Sequence, residues 1–391
     1  MLKETLMKKT LFVHLNFESL GGAELYGTTS AQALAKSGMD IFLLSSYAHA
    51  SSSTISGLAH YGALPNISST YRKIITRLGR LFGANDLWLR QALRRFSNNI
   101  DLIICGHMHC LPTVAKEAHR QNIPYWLLVY GIDVWRGWSS DEVSAIEQCP
   151  RIVTISRFTA DSVETRCKNI AGKKINIIPP AVDIGFFTPS QYEINDEMLT
   201  ILTVGRLSSS ERYKGHDLVI NALPSLAQKI RRPLEYHIVG DGDDRPRLEK
   251  LATDKGVRNM VRFHGRVSIE EMREAYRSCH IFAMPSYVSQ RDDGSWTGEG
   301  FGIVYAEAAS CGKPCLACDK GGQTDIVRHG VNGILVKPTV ESVADGLFEL
   351  LSNLDRAEEM GRTGRKIVEE EFSLEQFNRR WAEVLKESCA E

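Results

Sequence analysis

The sequence predicts an α/β protein of two doubly wound domains, each a parallel sheet covered by helices on both faces. Three observations predict it. Apolar runs of strand length alternate with helix-period segments along the chain. The runs are continuous rather than alternating, as in strands buried on both faces. A proline-containing stretch interrupts the pattern near the middle of 391 residues, a length that suits two domains of roughly 150–200 residues each.

The first half opens with TLFVHLNF (10–17), a glycine turn SLGGAE (19–24), and the helical run AELYGTTSAQALAKSG closed by Gly38. The strand-like runs DIFLLSS, DLIICGH, PYWLLVY and RIVTIS follow. The text then changes to INIIPPAVDIGFFTPS, and residues 179–197 are expected to form a hinge. A second series comprises LTILTVGRL, EYHIVGDG, VRFHG, HIFAMPS, PCLAC and GILV. The expected domains are 1–180 and 181–373, with ligands at the carboxyl ends of the strands. The tail is a helix with Leu374, Phe377, Trp381 and Leu385 on one face.

Composition narrows the function classes. Lys plus Arg and Asp plus Glu number 47 each, so no global field attracts nucleic acid, which is not an expected partner. No run of about 18 apolar residues occurs, so no spanning helix is expected. The apolar run after the N-terminal lysines contains His14 and Asn16 and reads as a strand rather than a signal peptide, which makes a cytoplasmic chain the expectation. Nine cysteines lie scattered in apolar segments and suit buried thiols. Cys311-x3-Cys315-x2-Cys318 has iron–sulfur spacing, but CLAC reads as a core strand. His107-Met108-His109 has no third metal ligand in its neighbourhood.

Several residues could carry chemistry. Gly21 and Gly22 would let a ligand approach a helix N-terminus, or simply make a tight turn. In LTVGRLSSSERYKGHD, Arg206 follows Gly205 at a strand end and Lys214 lies on a serine-rich loop. Two cations there suit a diphosphate, although a solvated loop would look the same. In WTGEGFGIVYAEAASCGKP (296–314), a helix beginning near Gly302 would present unpaired N–H groups to an anion. Glu307 inside that helix could accept two adjacent hydroxyls, and Glu299 before it would face the ligand. Their bland reading is an exposed helix residue and a dipole partner.

The ordered set is more specific: a glycine turn after the first strand, G-R with a downstream K-G, E-x7-E with EGFG, and GGQTDIV (321–327). In this succession the chain resembles, over nearly its whole length, the retaining sugar-nucleotide glycosyltransferases of family 4. The resemblance implies the GT-B fold, two Rossmann-like domains with parallel sheets facing across a cleft. It also implies an N-terminal acceptor domain, a C-terminal donor domain, and a final helix, 374–391, crossing back to the first. Arg206 and Lys214 look like the pair that neutralises the donor diphosphate, Glu307 the ribose clamp, and Glu299 the glutamate facing the transferred sugar. Backbone N–H groups of Phe301, Gly302 and Ile303 would complete the phosphate cradle. His107 is similar to the N-domain histidine near the reacting sugar, and Gly22 to the loop approaching phosphate and acceptor.

The implied partners are a UDP- or GDP-hexose and a glycan or lipid-linked acceptor, with no metal and no other cofactor. Three departures stand out. Tyr130-Gly131 replaces H-G, Pro180-Ala181 replaces N-G, and YVSQRDDGSWT (287–297) is inserted, its Asp292 and Asp293 suiting a sugar-site cover or a solvated loop. Rival readings are a glycoside hydrolase using Glu299 and Glu307, a metal site at Asp241-x-Asp243, for which turn and N-cap roles are the ordinary reading, and a non-catalytic nucleotide-sugar binder. Residues 71–95 hold seven Lys or Arg and one acid around an apolar helical face carrying Ile74, Ile75, Leu78, Leu81 and Phe82. That segment suits an anionic membrane surface, and equally a helix packed on its own sheet.

Overall fold

The structure, a computed structural model, describes residues 9–17, 22–49, 52–64, 84–96, 100–167, 170, 174–190, 197–292 and 294–389. The chain divides into two units, one of residues 1–178 with 377–391 and one of residues 179–376.

In the first unit, β1 (Lys9–His14) leads into α1 (Gly22–Lys36) and β2 (Asp40–His49). A hairpin of β3 (Ser52–Ile55) and β4 (Leu58–Leu64) follows, then α2 (Ala84–Phe96), β5 (Leu102–Cys105) and α3 (Leu111–Gln121). Next come β6 (Tyr125–Val129), α4 (Gly131–Trp135), α5 (Ser140–Gln148), β7 (Arg151–Thr154), α6 (Arg157–Arg166) and β8 (Lys174–Ile177). Among the described residues the sheet order is β3-β4-β2-β1-β5-β6-β7-β8, parallel except for β3 against β4. The central strands are apolar in their middles, as helices on both faces require: Leu11, Phe12, Val13 and Ile104 have no exposed surface. The chain leaves β1 toward β2 but leaves β5 toward β6, so the strand order reverses between β1 and β5. Ligand sites of open α/β sheets form at such a reversal.

The second unit repeats the plan. It holds β9 (Leu199–Val204), α7 (His216–Ile230), β10 (Leu234–Val239), α8 (Arg245–Asp254), β11 (Val261–Gly265), α9 (Ile269–Ser278) and β12 (Ile281–Ala283). A two-residue hairpin, β13 (Ser289–Gln290) and β14 (Trp296–Thr297), precedes α10 (Ile303–Ser310), β15 (Cys315–Cys318) and β16 (Gly333–Val336). Helices α11 (Val340–Ser352), α12 (Leu354–Glu371) and α13 (Leu374–Cys389) close the chain. The parallel order β11-β10-β9-β12-β15-β16 reverses between β9 and β12.

Several expectations are corrected. The segment expected to be a hinge starts where the two units divide, and its described residues 179–190 pack within the second unit: Val182 and Phe187 are buried, Val182 bridges to Ser373, and the Phe187 carbonyl accepts the Ser310 hydroxyl at 2.6 Å. Ahead of it, strand β8 (Lys174–Ile177) was not among the strands named from the sequence. On α13 the buried residues are Phe377, Trp381 and Val384, whereas Leu374 is exposed and Leu385 only partly covered. The insertion 287–297 forms the β13–β14 hairpin. Eight cysteines among the described residues are free and buried, in line with the sequence reading. No described helix is long and apolar enough to cross a membrane.

Most of the basic amphipathic stretch, residues 71–83, lies outside the described residues. Its end is α2, where Leu89, Ala92 and Leu93 are buried. Arg94 donates to the buried Glu117 carboxylate at 3.0 and 3.1 Å, and Arg90 lies 3.6 Å from it. These two cations are therefore partly neutralised within the fold.

Candidate active site

The second unit gathers the charged groups that the sequence singles out. Residues 209–214 form a tight 3-10 turn, started by Ser208, whose hydroxyl accepts the Ser210 N–H, and closed by Gly215 in the left-handed region at φ +79°. Arg212 bonds Asp244 at 3.0 Å, and Asp243 accepts the Ser209 N–H at 3.0 Å, tying the turn to the start of α8. Asp243 is thus spent on the loop. Neither it nor Asp241 caps α8, whose N-cap residue is Asp244, so the N-cap expectation is corrected by one residue. Asp241 instead accepts the Gly242 N–H at 2.9 Å.

Lys214 folds back over the end of β9. A Cβ on Gly205 would lie 3.3 Å from the lysine Cδ, so the missing side chain leaves the path for the lysine stem. The ammonium sits 3.6 Å from Glu299 Oε2 and 4.0 Å from Glu211 Oε2, and 5.6 Å over the Tyr213 ring. Lys214, Glu299 and Glu211 side chains are only 14%, 15% and 16% exposed. Glu299, expected to face ligand freely, is an ion-pair partner in this structure. Arg206 is 79% exposed and pairs with Glu211, a residue that the sequence pattern does not single out.

Gly302 is the N-cap of α10, at φ +83°, so the helix starts where the sequence places it. No side chain among the described residues caps it, so its first N–H groups lack a side-chain partner, the arrangement that suits an anion. The segment 299–302 is held by the downstream glycine pair. Gly322 N–H donates to the Glu299 carbonyl at 2.8 Å, and a Cβ on Gly322 would stand 2.0 Å from the Gly300 oxygen. Because that neighbour is backbone, Gly322→Ala is expected to cost about 1–3 kcal/mol and lower Tm by roughly 5 °C in calorimetry.

Glu307, partly buried in the middle of α10, accepts the hydroxyl of Tyr276 at 2.9 Å. Burial pushes its carboxyl up to about 7 against the lowering effect of that bond. Tyr276 on α9 has no exposed surface and escaped the sequence reading, because 31 residues separate it from Glu307.

The first unit has its own polar cluster at its strand reversal. His107 follows β5; its Nδ1 accepts the His109 N–H at 3.2 Å, so its hydrogen is assigned to Nε2. Burial, then the charges of His14, His109 and Arg136, lower His107 to about 3, so the ring is neutral at physiological pH. His14 at the end of β1 meets it edge-on at 5.8 Å and is lowered by burial to about 4. Among the described residues, neither His14 nitrogen nor the hydroxyl of buried Tyr130 makes a hydrogen bond of ordinary geometry. His14 carries no sequence signal beyond its position at a strand end. Gly22 begins α1 with open space around it. No group of three His, Cys, Asp or Glu side chains among the described residues is placed to hold a metal.

Known proteins share this architecture. Residues 20–186 match the family pattern "Glycosyltransferase Family 4" and residues 187–367 match "Glycosyl transferases group 1". A GDP-mannose-dependent alpha-(1-6)-phosphatidylinositol monomannoside mannosyltransferase of Mycobacterium tuberculosis is 31% identical over 265 residues, covering 64% of this chain and 66% of that protein. The protein of the same description from Mycolicibacterium smegmatis is 29% identical over 330 residues, 80% of each chain. Among solved structures, sucrose-phosphate synthase from Thermosynechococcus elongatus superposes with a TM-score of 0.75 at 19% identity, covering 98% of this chain and 99% of the other. Anabaena HepE in complex with UDP and glucose gives 0.67 at 18% identity, covering 97% and 100%. These two likenesses concern the fold. With both halves matched in order and two Rossmann-like units of parallel sheet, the chain belongs to the family 4 glycosyltransferases of GT-B fold.

Proposed function

We propose that the protein transfers a hexose from a UDP- or GDP-hexose to a hydroxyl of a glycan or lipid-linked acceptor, with retention of configuration and without a metal ion. The observation that carries this reading is the Lys214 ammonium, held 3.6 Å from Glu299 in the unit whose α10 presents an uncapped N-terminus. A departing diphosphate develops negative charge. Lys214, Arg206 and the N–H groups of Phe301, Gly302 and Ile303 are the positive groups that would take it up. Glu307, oriented by Tyr276, would accept the ribose hydroxyls. Glu299 would face the transferred sugar, and neutral His107 would donate from Nε2 to a sugar hydroxyl. Neither glutamate is assigned as a covalent nucleophile; attack on the same face through an oxocarbenium-like state accounts for retention.

The named mannosyltransferase relatives support a glycolipid-type acceptor, and a role in cell-surface polysaccharide or glycolipid assembly at the cytoplasmic face of a membrane is part of the proposal. The hydrolase alternative loses support because Glu299 is neutralised by Lys214, whose presence a hydrolytic acid–base pair does not explain. Thermal-shift titration with UDP, GDP, ADP and their hexose derivatives tests the donor. A true donor at about a hundred times its Kd should stabilise by about 2.7 kcal/mol. Absence of any shift from every nucleotide overturns the reading, as does turnover abolished by EDTA for the metal-free mechanism. Flotation of the protein with anionic vesicles at low salt checks peripheral docking through 71–95; a chain that stays at the bottom of the gradient removes it.

A further inference from the structure

We propose that Glu211 is a positioning residue that stands in for the donor diphosphate, holding Arg206 and Lys214 until the diphosphate displaces it from Arg206; this rests on the donor reading above. One Glu211 oxygen takes the Arg206 guanidinium. The other is buried without a hydrogen-bond partner among the described residues, 4.0 Å from the Lys214 ammonium, beyond hydrogen-bond reach. Glu299 flanks the same ammonium from another side at 3.6 Å. The four side chains sum to zero charge, so Glu211 and Glu299 compete with an entering diphosphate for the two cations. The Arg206 contact is the one that yields: the arginine is 79% exposed, and an ion pair of that kind is weak. Lys214, closed in by its neighbours and by the stem contact at Gly205, stays where it is.

The inserted hairpin keeps Glu211 in this post. Arg291 donates to the Ser210 carbonyl at 3.1 Å, and Tyr287 N–H donates to the Tyr213 carbonyl at 2.9 Å. The hairpin therefore grips the turn on both sides of Glu211. An anion fixed between two cations pre-orients them while ligand is absent, and it competes with nucleoside diphosphate after the sugar has left. On this view Glu211 trades affinity for release of product.

The test is calorimetric titration of UDP and GDP, with uridine and guanosine as ligands lacking phosphate, into wild type, Glu211→Gln and Glu211→Ala. Glu211→Gln keeps the shape and removes the charge. It is expected to bind the nucleoside diphosphate about fivefold more tightly, with a steeper loss on adding salt and no change for the bare nucleoside. Steady-state turnover should show a lower KM for the donor. A purely structural role would weaken binding of diphosphate and nucleoside together. Unchanged or weaker diphosphate binding by a Glu211→Gln protein with wild-type melting overturns the proposal. Failure of wild type itself to bind either diphosphate sinks the donor reading instead.

Discussion

Replacing Lys214 by methionine is expected to lower kcat/KM by about 10²- to 10³-fold, the cost of about 2.7–4 kcal/mol seen when one pre-placed transition-state donor is lost. Methionine keeps an unbranched stem in the path over Gly205 and removes only the charge. Two carboxylates, Glu299 and Glu211, would then lose the cation that they share. Arginine at the same position should restore little: its planar fork cannot occupy the space of a point charge enclosed by Tyr213 and two carboxylates. The measurement is nucleoside diphosphate release in the presence of acceptor, with circular dichroism to check the fold. Turnover within a few-fold of wild type would remove Lys214 from the chemistry.

How far was this arrangement readable beforehand? Strand runs buried on both faces are a strong signal: each of the eleven apolar runs named from the sequence contains a strand, LIIC and CLAC among them. The strands that escaped have weaker physics. SSTI and LAHYGAL form a partly polar edge hairpin, INII is masked by two prolines, and β13 and β14 are two residues each. The tail helix buries Phe377 and Trp381 as its apolar spacing predicts, but the next buried position is Val384 rather than Leu385; the two are adjacent, and one step turns the helix by about 100°.

Site residues divide in the same way. Gly302 and Glu307 follow from helix geometry, which is local. Glu211 could not be found locally: a glutamate among serines reads as solvated until its pairing with Arg206 is visible. Tyr276 reaches Glu307 only because α9 and α10 pack as neighbours, and no spacing rule carries that. Asp243 was given to the wrong task because three carboxylates in GDGDD compete for one helix start.

Glu307→Gln is expected to make the protein more stable and worse at binding its donor. Burial holds the folded carboxyl near 7, against an ordinary value of 4.5, so between those limits the folded chain binds the proton that the unfolded chain has released. Stability from this group is therefore greatest below pH 4.5, falls as pH rises through the window, and is in full deficit above pH 7. The deficit is on the order of 3 kcal/mol. Glutamine keeps an acceptor for the Tyr276 hydroxyl and never ionises, so the variant should melt roughly 5 °C or more above wild type at pH 8. At pH 5 the two curves should nearly meet. Nucleotide affinity should move oppositely: losing charge-assisted bonds to a ribose diol costs tenfold or more, and wild-type affinity itself should tighten from pH 6 to pH 8 as the carboxylate forms. Melting curves at both pH values, with calorimetric titration of UDP and GDP, check each arm. A Tm difference that does not depend on pH would show that Glu307 is not the strained ionising group; a variant that binds nucleotide as well as wild type would show that the strain serves another purpose.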